Sequence, residues 1–350
     1  MDRSELIRVY LWPIPPRSTN LRLVVEATVI VTPVLDDWMA FGALVPKLDA
    51  ALAATSERVT ILVVDDGSAS VPAELALAAA PAAIDGITVV RLRRNLGHQR
   101  AIAVGLAYVF EKSDARSIVV MDADGEDEPA DVPRLLARMR ERGDGAVVFA
   151  ERARRSESLA FRVFYQFYRF LHWLLVGRAA RVGNFSAFPR RALNRLVVVS
   201  ELWNHFAAAV YRSRIPVDTV PTARGKRYGG RSSMSFIGLV VHGMSALSVY
   251  GDVVGVRLLA SAAVLVAISL TGIGALVVVK VATSMVIAQW ALITAGMLLL
   301  LCVQAVMFIF VLSVNILDGR NRFGFIPLRD YAIYIDEVVT MPVSVAESGS

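Results

Sequence analysis

Two uncharged apolar stretches near the C-terminal end constrain this chain more than any other feature. Residues 258–279, LLASAAVLVAISLTGIGALVVV, contain no charged side chain, and a second such stretch runs from Val281 to Leu317. About 20 apolar residues cross the hydrocarbon core of a bilayer as a helix, so the two read as a transmembrane hairpin linked around residues 280–289. Gly and Ala within both stretches suit helix–helix packing in lipid. A hydrophobic content of 55% and a mean hydropathy of +0.54, both high for a water-soluble protein, agree with this reading. Arg257 precedes the first stretch, Arg320, Arg322 and Arg329 follow the second, and the link offers only Lys280. Basic flanks stay on the cytoplasmic side. Both ends of the hairpin, and the sequence before it, are therefore expected in the cytoplasm, as in a multi-pass protein of the cell (inner) membrane. The N-terminal MDRSELIRVYLWPIPP lacks the apolar core of a signal peptide. The one cysteine, Cys302, lies inside the second stretch and excludes an internal disulfide or a Cys-based zinc site.

The preceding sequence has a different grammar. Apolar, β-branched runs at 27–33, 58–66, 87–94, 117–124 and 145–151 alternate with helix-like segments near 37–54, 70–82, 98–112 and 130–142. Uninterrupted apolar strands separated by helices indicate a mostly parallel sheet covered on both faces, an α/β fold. Ligands of such sheets bind beyond the carboxyl ends of the strands. The segments at 159–181 and 235–252 mix aromatic, apolar and basic residues and read as interfacial helices, with ordinary core helices as the alternative. The resulting division is an N-terminal segment 1–24, a nucleotide-binding half 25–155, an acceptor half 156–252, the hairpin 253–318 and a C-terminal tail 319–350.

The first strand ends in TPVLDDW, without the G-x-G-x-x-G that a dinucleotide-binding turn needs. Instead, three strands deliver acids to one edge: Asp36 and Asp37, Asp65 and Asp66 in VVDDGS, and Asp122 and Asp124 in MDADGEDEP. Carboxylates suit the N–H groups of a base, the hydroxyls of a ribose and a hard divalent cation. Asp122 and Asp124 can turn toward one ion as the chain leaves the sheet, with Glu126 following at the same spacing. Asp127, Glu128 and Asp131 read as the acidic start of a helix. A net charge of +6 and a pI near 9.7 admit nucleic acid, anionic lipid or a phosphorylated substrate, and the hairpin turns the choice away from nucleic acid.

TPVLDDW, VVDDGS, RNLGHQRAIAVGL and MDADGEDEP, in this order and spacing, resemble the inverting glycosyltransferases of the GT-A fold, and within them the polyprenyl-phosphate glycosyltransferases. The likeness continues more loosely through ERARRSES, GNFSAFPRRAL and RYGGRSSMSF. It implies a nucleotide-sugar donor, a polyprenyl phosphate acceptor and Mg²⁺ or Mn²⁺. Pro33, Leu35, Asp37 and Asp66 fall where the family holds the nucleoside, with Asp65 and Ala123 beside them. Asp122 and Asp124 fit the family's DxD metal motif, and Glu126 stands where many members place Gln. Arg152 matches an arginine that meets the lipid phosphate, and Arg227 one in a loop that closes over the diphosphate. Asp36 departs from the usual Asn, Asn184 from an Asp in some members, and Ser233 from a frequent Lys, next to Arg231.

In the implied reaction the attacking phosphate oxygen is already an anion at neutral pH, so no strong base is needed. His98, His172, His205 and His242 accordingly read as polar surface or interface residues. Two basic clusters, Arg152, Arg154 and Arg155, then Arg224, Lys226, Arg227 and Arg231, offer bidentate phosphate contacts, or attraction to anionic headgroups. Acceptor-phosphate binding is assigned to Arg152, Arg155, Arg227, Arg231 and Ser233. A processive polysaccharide synthase, the rival enzyme, would carry a Q-x-x-R-W motif, absent here. A membrane-anchored nucleotide-binding protein without catalysis is the non-enzymatic alternative. Self-association is left open.

Overall fold

The computed structural model describes residues 28–345 apart from 56, 78, 144, 153–165, 167–173, 178–181, 229–242, 284–288 and 322–323. The five runs expected as strands are strands, β1 (Thr28–Val34), β2 (Val59–Asp65), β4 (Ile84–Leu92), β5 (Ser117–Val120) and β6 (Val147–Arg152). β1 lies parallel to both β2 and β5, and β2 parallel to β4. Their alternate residues enter opposite cores. Val29, Val31, Leu62, Val64, Ile118 and Val120 face α2 (His98–Lys112), α4 (Arg190–Leu196) and α5 (Phe206–Arg212). Ile30, Val34, Ile61, Val63, Val119 and Met121 face α1 (Trp38–Ala53) and α3 (Asp131–Arg142). Each fully buried side chain of this kind contributes about 1.5–3 kcal/mol, and double-sided burial is why these strands show no polar alternation.

The eight-stranded sheet has the order β8-β6-β7-β5-β1-β2-β4-β9, where β7 is Ser186–Pro189, β8 Val217–Thr222 and β9 Ile335–Thr340. β7 runs antiparallel between β5 and β6, and β9 antiparallel along β4. The mostly parallel, doubly covered sheet is the α/β architecture expected. Two expectations are corrected. The 70–82 segment contains a short strand, β3 (Leu75–Leu77), paired with β10 (Val343–Val345), and no helix. Leu75 and Leu77 are buried and Ala76 exposed, a period of two, and Pro72 and Pro81 leave little room for helical turns between them. The segment read as a tail also supplies β9 and β10, and it buries Tyr331 and Met341.

α6 (Gly251–Ala282) and α7 (Gln289–Asn321) are each long and apolar enough to cross a membrane, and they pack side by side, with Ser269 Oγ 3.5 Å from Cys302 Sγ. Ile268, Leu301 and Phe308 stand more than 60% exposed, an apolar surface that water would penalise. The chain leaves the sheet domain at α6 and re-enters the sheet at β9, so both ends of the helix pair lie on the domain's side. The start of α6 is tied to that domain. Arg212 pairs with Asp252 at 2.6 Å, Tyr250 donates to the Ala208 carbonyl, and Arg257 to that of Leu174. Of the segments read as interfacial helices, residues 174–176 and 243–248 are helical, and most of the remainder lies outside the described residues.

Candidate active site

Parallel pairing aligns the carboxyl ends of β1, β2 and β5 on one edge, with Val34 beside Asp65 and Val31 beside Val120. β5 ends at Val120, earlier than expected, so that Asp122, Ala123 and Asp124 belong to the turn beyond it. Asp127 closes that turn. Its carboxylate, 4% exposed as a residue, accepts from the Asp122 amide at 2.9 Å, so it does not serve as a solvated helix start. Asp131 does begin α3 and pairs with Arg134. Asp124 Oδ1 accepts from the Glu126 amide at 2.9 Å.

A second segment, residues 223–228, lies on this turn. Arg227 reaches Asp124 Oδ2 with Nε at 3.2 Å and Nη2 at 2.6 Å, and Arg224 reaches Glu126 Oε1 at 2.6 Å. The backbones lock as well: Gly225 donates to the Glu126 carbonyl and Tyr228 to that of Asp124, both at 3.0 Å. Two glycines make the approach possible. Gly125 has φ +88°, and a Cβ there would meet the Tyr228 ring at 2.8 Å, while a Cβ on Gly225 would lie 2.1 Å from the Gly125 carbonyl oxygen. Lys47 Nζ sits over the Tyr228 ring, 3.9 Å from its centroid, in a cation–π contact. Burial, then the nearby Glu128 and Asp124 carboxylates, push the Tyr228 phenol above its usual range, and its buried hydroxyl has no hydrogen-bond partner among the described residues. Gly125→Ala is expected to destabilise the fold by about 1–3 kcal/mol through left-handed strain and loss of the Tyr228 seat, read as a lowered melting temperature.

The other expected nucleotide contacts are distributed unevenly. Pro33 is buried within β1 and pairs with Val64; Leu35 is 43% exposed; Asp37 stands at the N-terminal end of α1. Asp36, at φ +53°, accepts from the Ala69 amide and donates its own amide to Ser68 Oγ, closing the β1 and β2 ends onto each other. Asp65 is fully buried, accepts from the Ser68 amide and lies 3.6 Å from Arg91 Nε, while Arg91 Nη1 reaches Glu337 of β9. Asp66 uses both oxygens on the Leu96 and Gly97 amides, at 2.7 and 2.9 Å, and so fixes the entrance to α2. Burial raises its carboxyl above the ordinary range, against the lowering effect of those two N–H groups. Ala123 packs into the core. Arg152 ends β6 opposite Thr222. Arg154, Arg155, Arg231, Ser233, His172 and His242 lie outside the described residues.

The histidine reading is corrected at His205, which is buried, while His98 is exposed as expected but paired with its neighbours. His205 caps α5, accepting from the Ala208 amide. His98, the first residue of α2, places Nε2 3.2 Å from Asp122 Oδ1 and 3.0 Å from Asn184 Nδ2. Partial burial works against its cation, but the carboxylates of Asp122, Asp127 and Asp66 outweigh that and hold the imidazole above its usual range. Asn184 Oδ1 accepts from Gln99 Nε2 at 3.1 Å, and Gln99 Oε1 from the Phe206 amide at 2.7 Å. The sequence signal for His98 and Gln99 was their place just past a strand end, after the positive-φ Gly97. Tyr228 carried no comparable signal.

Oxygen-only donors on one turn suit a hard divalent cation, and guanidinium groups already stand on Asp124 and Glu126 as cations. Among the described residues, no three His, Cys, Asp or Glu side chains form a ready cage. Asp122 and Asp124 therefore fit as an incomplete ligand set that substrate oxygens would complete, and using Asp124 and Glu126 requires the arginines to leave them.

Residues 30–197 match the family model Glycosyl transferase family 2. The undecaprenyl-phosphate 4-deoxy-4-formamido-L-arabinose transferase of Salmonella paratyphi A is 28% identical over 218 residues, covering 60% of this chain and 63% of that protein. The Klebsiella pneumoniae protein of the same name is 28% identical over 227 residues, 62% and 65% of the two chains. This chain thus spans slightly less than two thirds of the length of these curated relatives. Among solved structures, glucosyl-3-phosphoglycerate synthase from Mycobacterium tuberculosis, crystallised with Mn²⁺ and UDP, is similar at 14% identity and a TM-score of 0.42, over 66% of this chain and 80% of that one. Mannosyl-3-phosphoglycerate synthase from Rubrobacter xylanophilus gives 15% and 0.45, over 64% and 72%.

Proposed function

We propose that this protein transfers a single sugar from a UDP- or GDP-linked donor to polyprenyl phosphate, with inversion, at the cytoplasmic face of a membrane that α6 and α7 cross. The observation that carries the reading is the carboxylate turn Asp122–Glu126 at the end of β5, covered by two arginines from residues 223–228. A nucleoside diphosphate and a lipid phosphate are both anions, and a site that brings them together must supply matching positive charge. The relatives named for undecaprenyl phosphate support the acceptor, and the two apolar helices support its delivery from a bilayer.

In this mechanism a bound Mg²⁺ or Mn²⁺ supplies neutralising charge to the diphosphate leaving group. Asp122 and Asp124 would hold it, with Glu126 as the next ligand. Arg227 exchanges its contact with Asp124 for a phosphate, a bidentate partner of the same charge and similar shape. Arg152, Arg155, Arg231 and Ser233 are assigned to the acceptor phosphate, and Pro33, Leu35, Asp37 and Asp65 to the nucleoside side. No side chain has to remove a proton from an acceptor that arrives ionised, so catalysis rests on orientation and charge.

The reading is tested by offering radiolabelled UDP- and GDP-sugars, a 4-formamido-arabinose donor among them, with undecaprenyl phosphate and Mg²⁺ or Mn²⁺. Label should enter the organic phase for one donor and stay aqueous for the rest; no transfer from any donor would reject the reading. Arg227→Ala should lower turnover by about 100-fold or more while leaving liposome binding within about twofold. The reverse pattern would assign Arg227 to lipid headgroups instead.

A further inference from the structure

His98 Nε2 faces two groups that ask opposite things of it. The Asp122 carboxylate, at 3.2 Å, can only accept a hydrogen; an amide NH₂ of Asn184, at 3.0 Å, can only donate one. Which demand is met follows from the other end of the chain. The Phe206 backbone N–H, in a fully buried residue at the start of α5, has a fixed donor role. Its partner on Gln99 must therefore be Oε1, which turns Gln99 Nε2 toward Asn184. Asn184 must then present Oδ1 to Gln99 and Nδ2 to His98. Gln99 is only 8% exposed, so water does not readily replace either of its bonds. The chain is polarised from a backbone group through two amides to a ring nitrogen, and a neutral ring accepts at Nε2 with its hydrogen on Nδ1.

We infer that Gln99 and Asn184 are positioning residues that occupy the Nε2 lone pair of the neutral His98 ring and keep it from donating to Asp122, so that the neutral ring does not compete with a cation for that carboxylate. This rests on Asp122 being a cation ligand, as proposed above. Asp66 fixes the Leu96 and Gly97 backbone that leads into His98. The sequence departure at Asn184 gains a physical role here: Asp at that position could not donate to Nε2.

The test uses the full-length protein in detergent with ¹⁵N-labelled histidine, titrated upward from about pH 8 until the His98 signals stop moving, so that the tautomer is read on the neutral ring despite its raised range. Four histidines make the spectrum assignable by single substitutions. Wild type should show His98 with its hydrogen on Nδ1. Gln99→Glu still accepts from Phe206 but cannot donate to Asn184, so the Asn184 amide must turn and His98 should move to the Nε2–H form. Mn²⁺, followed by its paramagnetic resonance without donor or acceptor, should then bind about tenfold more weakly. Gln99→Met breaks the chain without reversing it and should have a smaller effect on both readouts. Should Gln99→Glu fail to fold, Asn184→Asp imposes the same Nε2–H form. The inference is overturned by an Nε2–H tautomer in wild type, by a reversing variant that leaves tautomer and Mn²⁺ affinity unchanged, or by Gln99→Met matching Gln99→Glu. Neither readout involves sugar transfer, so failure of the donor panel would leave this result standing, and the converse holds too.

Discussion

Asp124→Ala is expected to lower kcat/KM for sugar transfer by about a thousandfold or more, with melting temperature changed little. Among the described residues Asp124 has three attachments. One oxygen caps the Glu126 amide, the other holds Arg227, and its carbonyl accepts from Tyr228. The substitution removes the two made by the side chain. It would cost the leaving diphosphate a ligand of its counter-ion and cost Arg227 its resting place. A second, independent signature follows: residues 223–228 should lose their ion-pair anchor and become more readily cut by trypsin at Arg224, Lys226 or Arg227. Asp124→Asn keeps the Glu126 cap but not the full ion pair, so it should share the kinetic defect with a milder change in cleavage. Equal activity in both variants and wild type would remove Asp124 from the site.

Ending the chain after Tyr334 should be comparably severe by a different route. β9 is the outer partner of β4, and removing it exposes a long edge beside the Asp65 end of β2. Met341 leaves the core, β3 loses its partner β10, and Arg91 loses Glu337 while still facing buried Asp65. Loss of the Met341 contact alone is worth about 2–5 kcal/mol by analogy with core truncations, a large part of the about 5–15 kcal/mol that holds a domain together. Aggregation or a collapsed melting transition is expected, together with loss of nucleotide binding. Glu337→Gln, which keeps the strand, should retain fold and binding. The strand also gives the helix pair a topological role. The sheet is completed only after the chain has passed through α6 and α7 and come back to the same side.

The legible part of the fold was the part buried on both faces. β1, β2, β4, β5 and β6 announce themselves as continuous apolar runs because two cores claim alternate residues. β7 is four residues ending in Pro189, β8 carries Pro221 at an exposed position, and β9 reads IDEVVT with few buried side chains. Edge and short strands owe their conformation to a neighbour, and the neighbour is not visible locally. The 70–82 segment misled because alanine favours helix while pairing with β10 decides the outcome. The site divides in the same way. Acids at strand ends were legible from their positions alone. The closure of the turn by Asp127, the seating of Tyr228 on Gly125 and the chain from Phe206 to His98 depend on residues up to 107 positions apart. Asp66 was legible by its place at a strand end, whereas its bonds to the Leu96 and Gly97 amides at the α2 entrance were not.

The central claim is that the carboxylates of the β5 turn bind a nucleoside diphosphate through a divalent cation. Calorimetric titration of UDP and of GDP into the full-length protein, with EDTA and then with excess Mn²⁺, tests it directly. Binding of one nucleotide only when Mn²⁺ is present, and its disappearance in Asp122→Ala and Asp124→Ala, is the expected result. Equally tight binding in EDTA, or binding that survives both substitutions, would contradict the account.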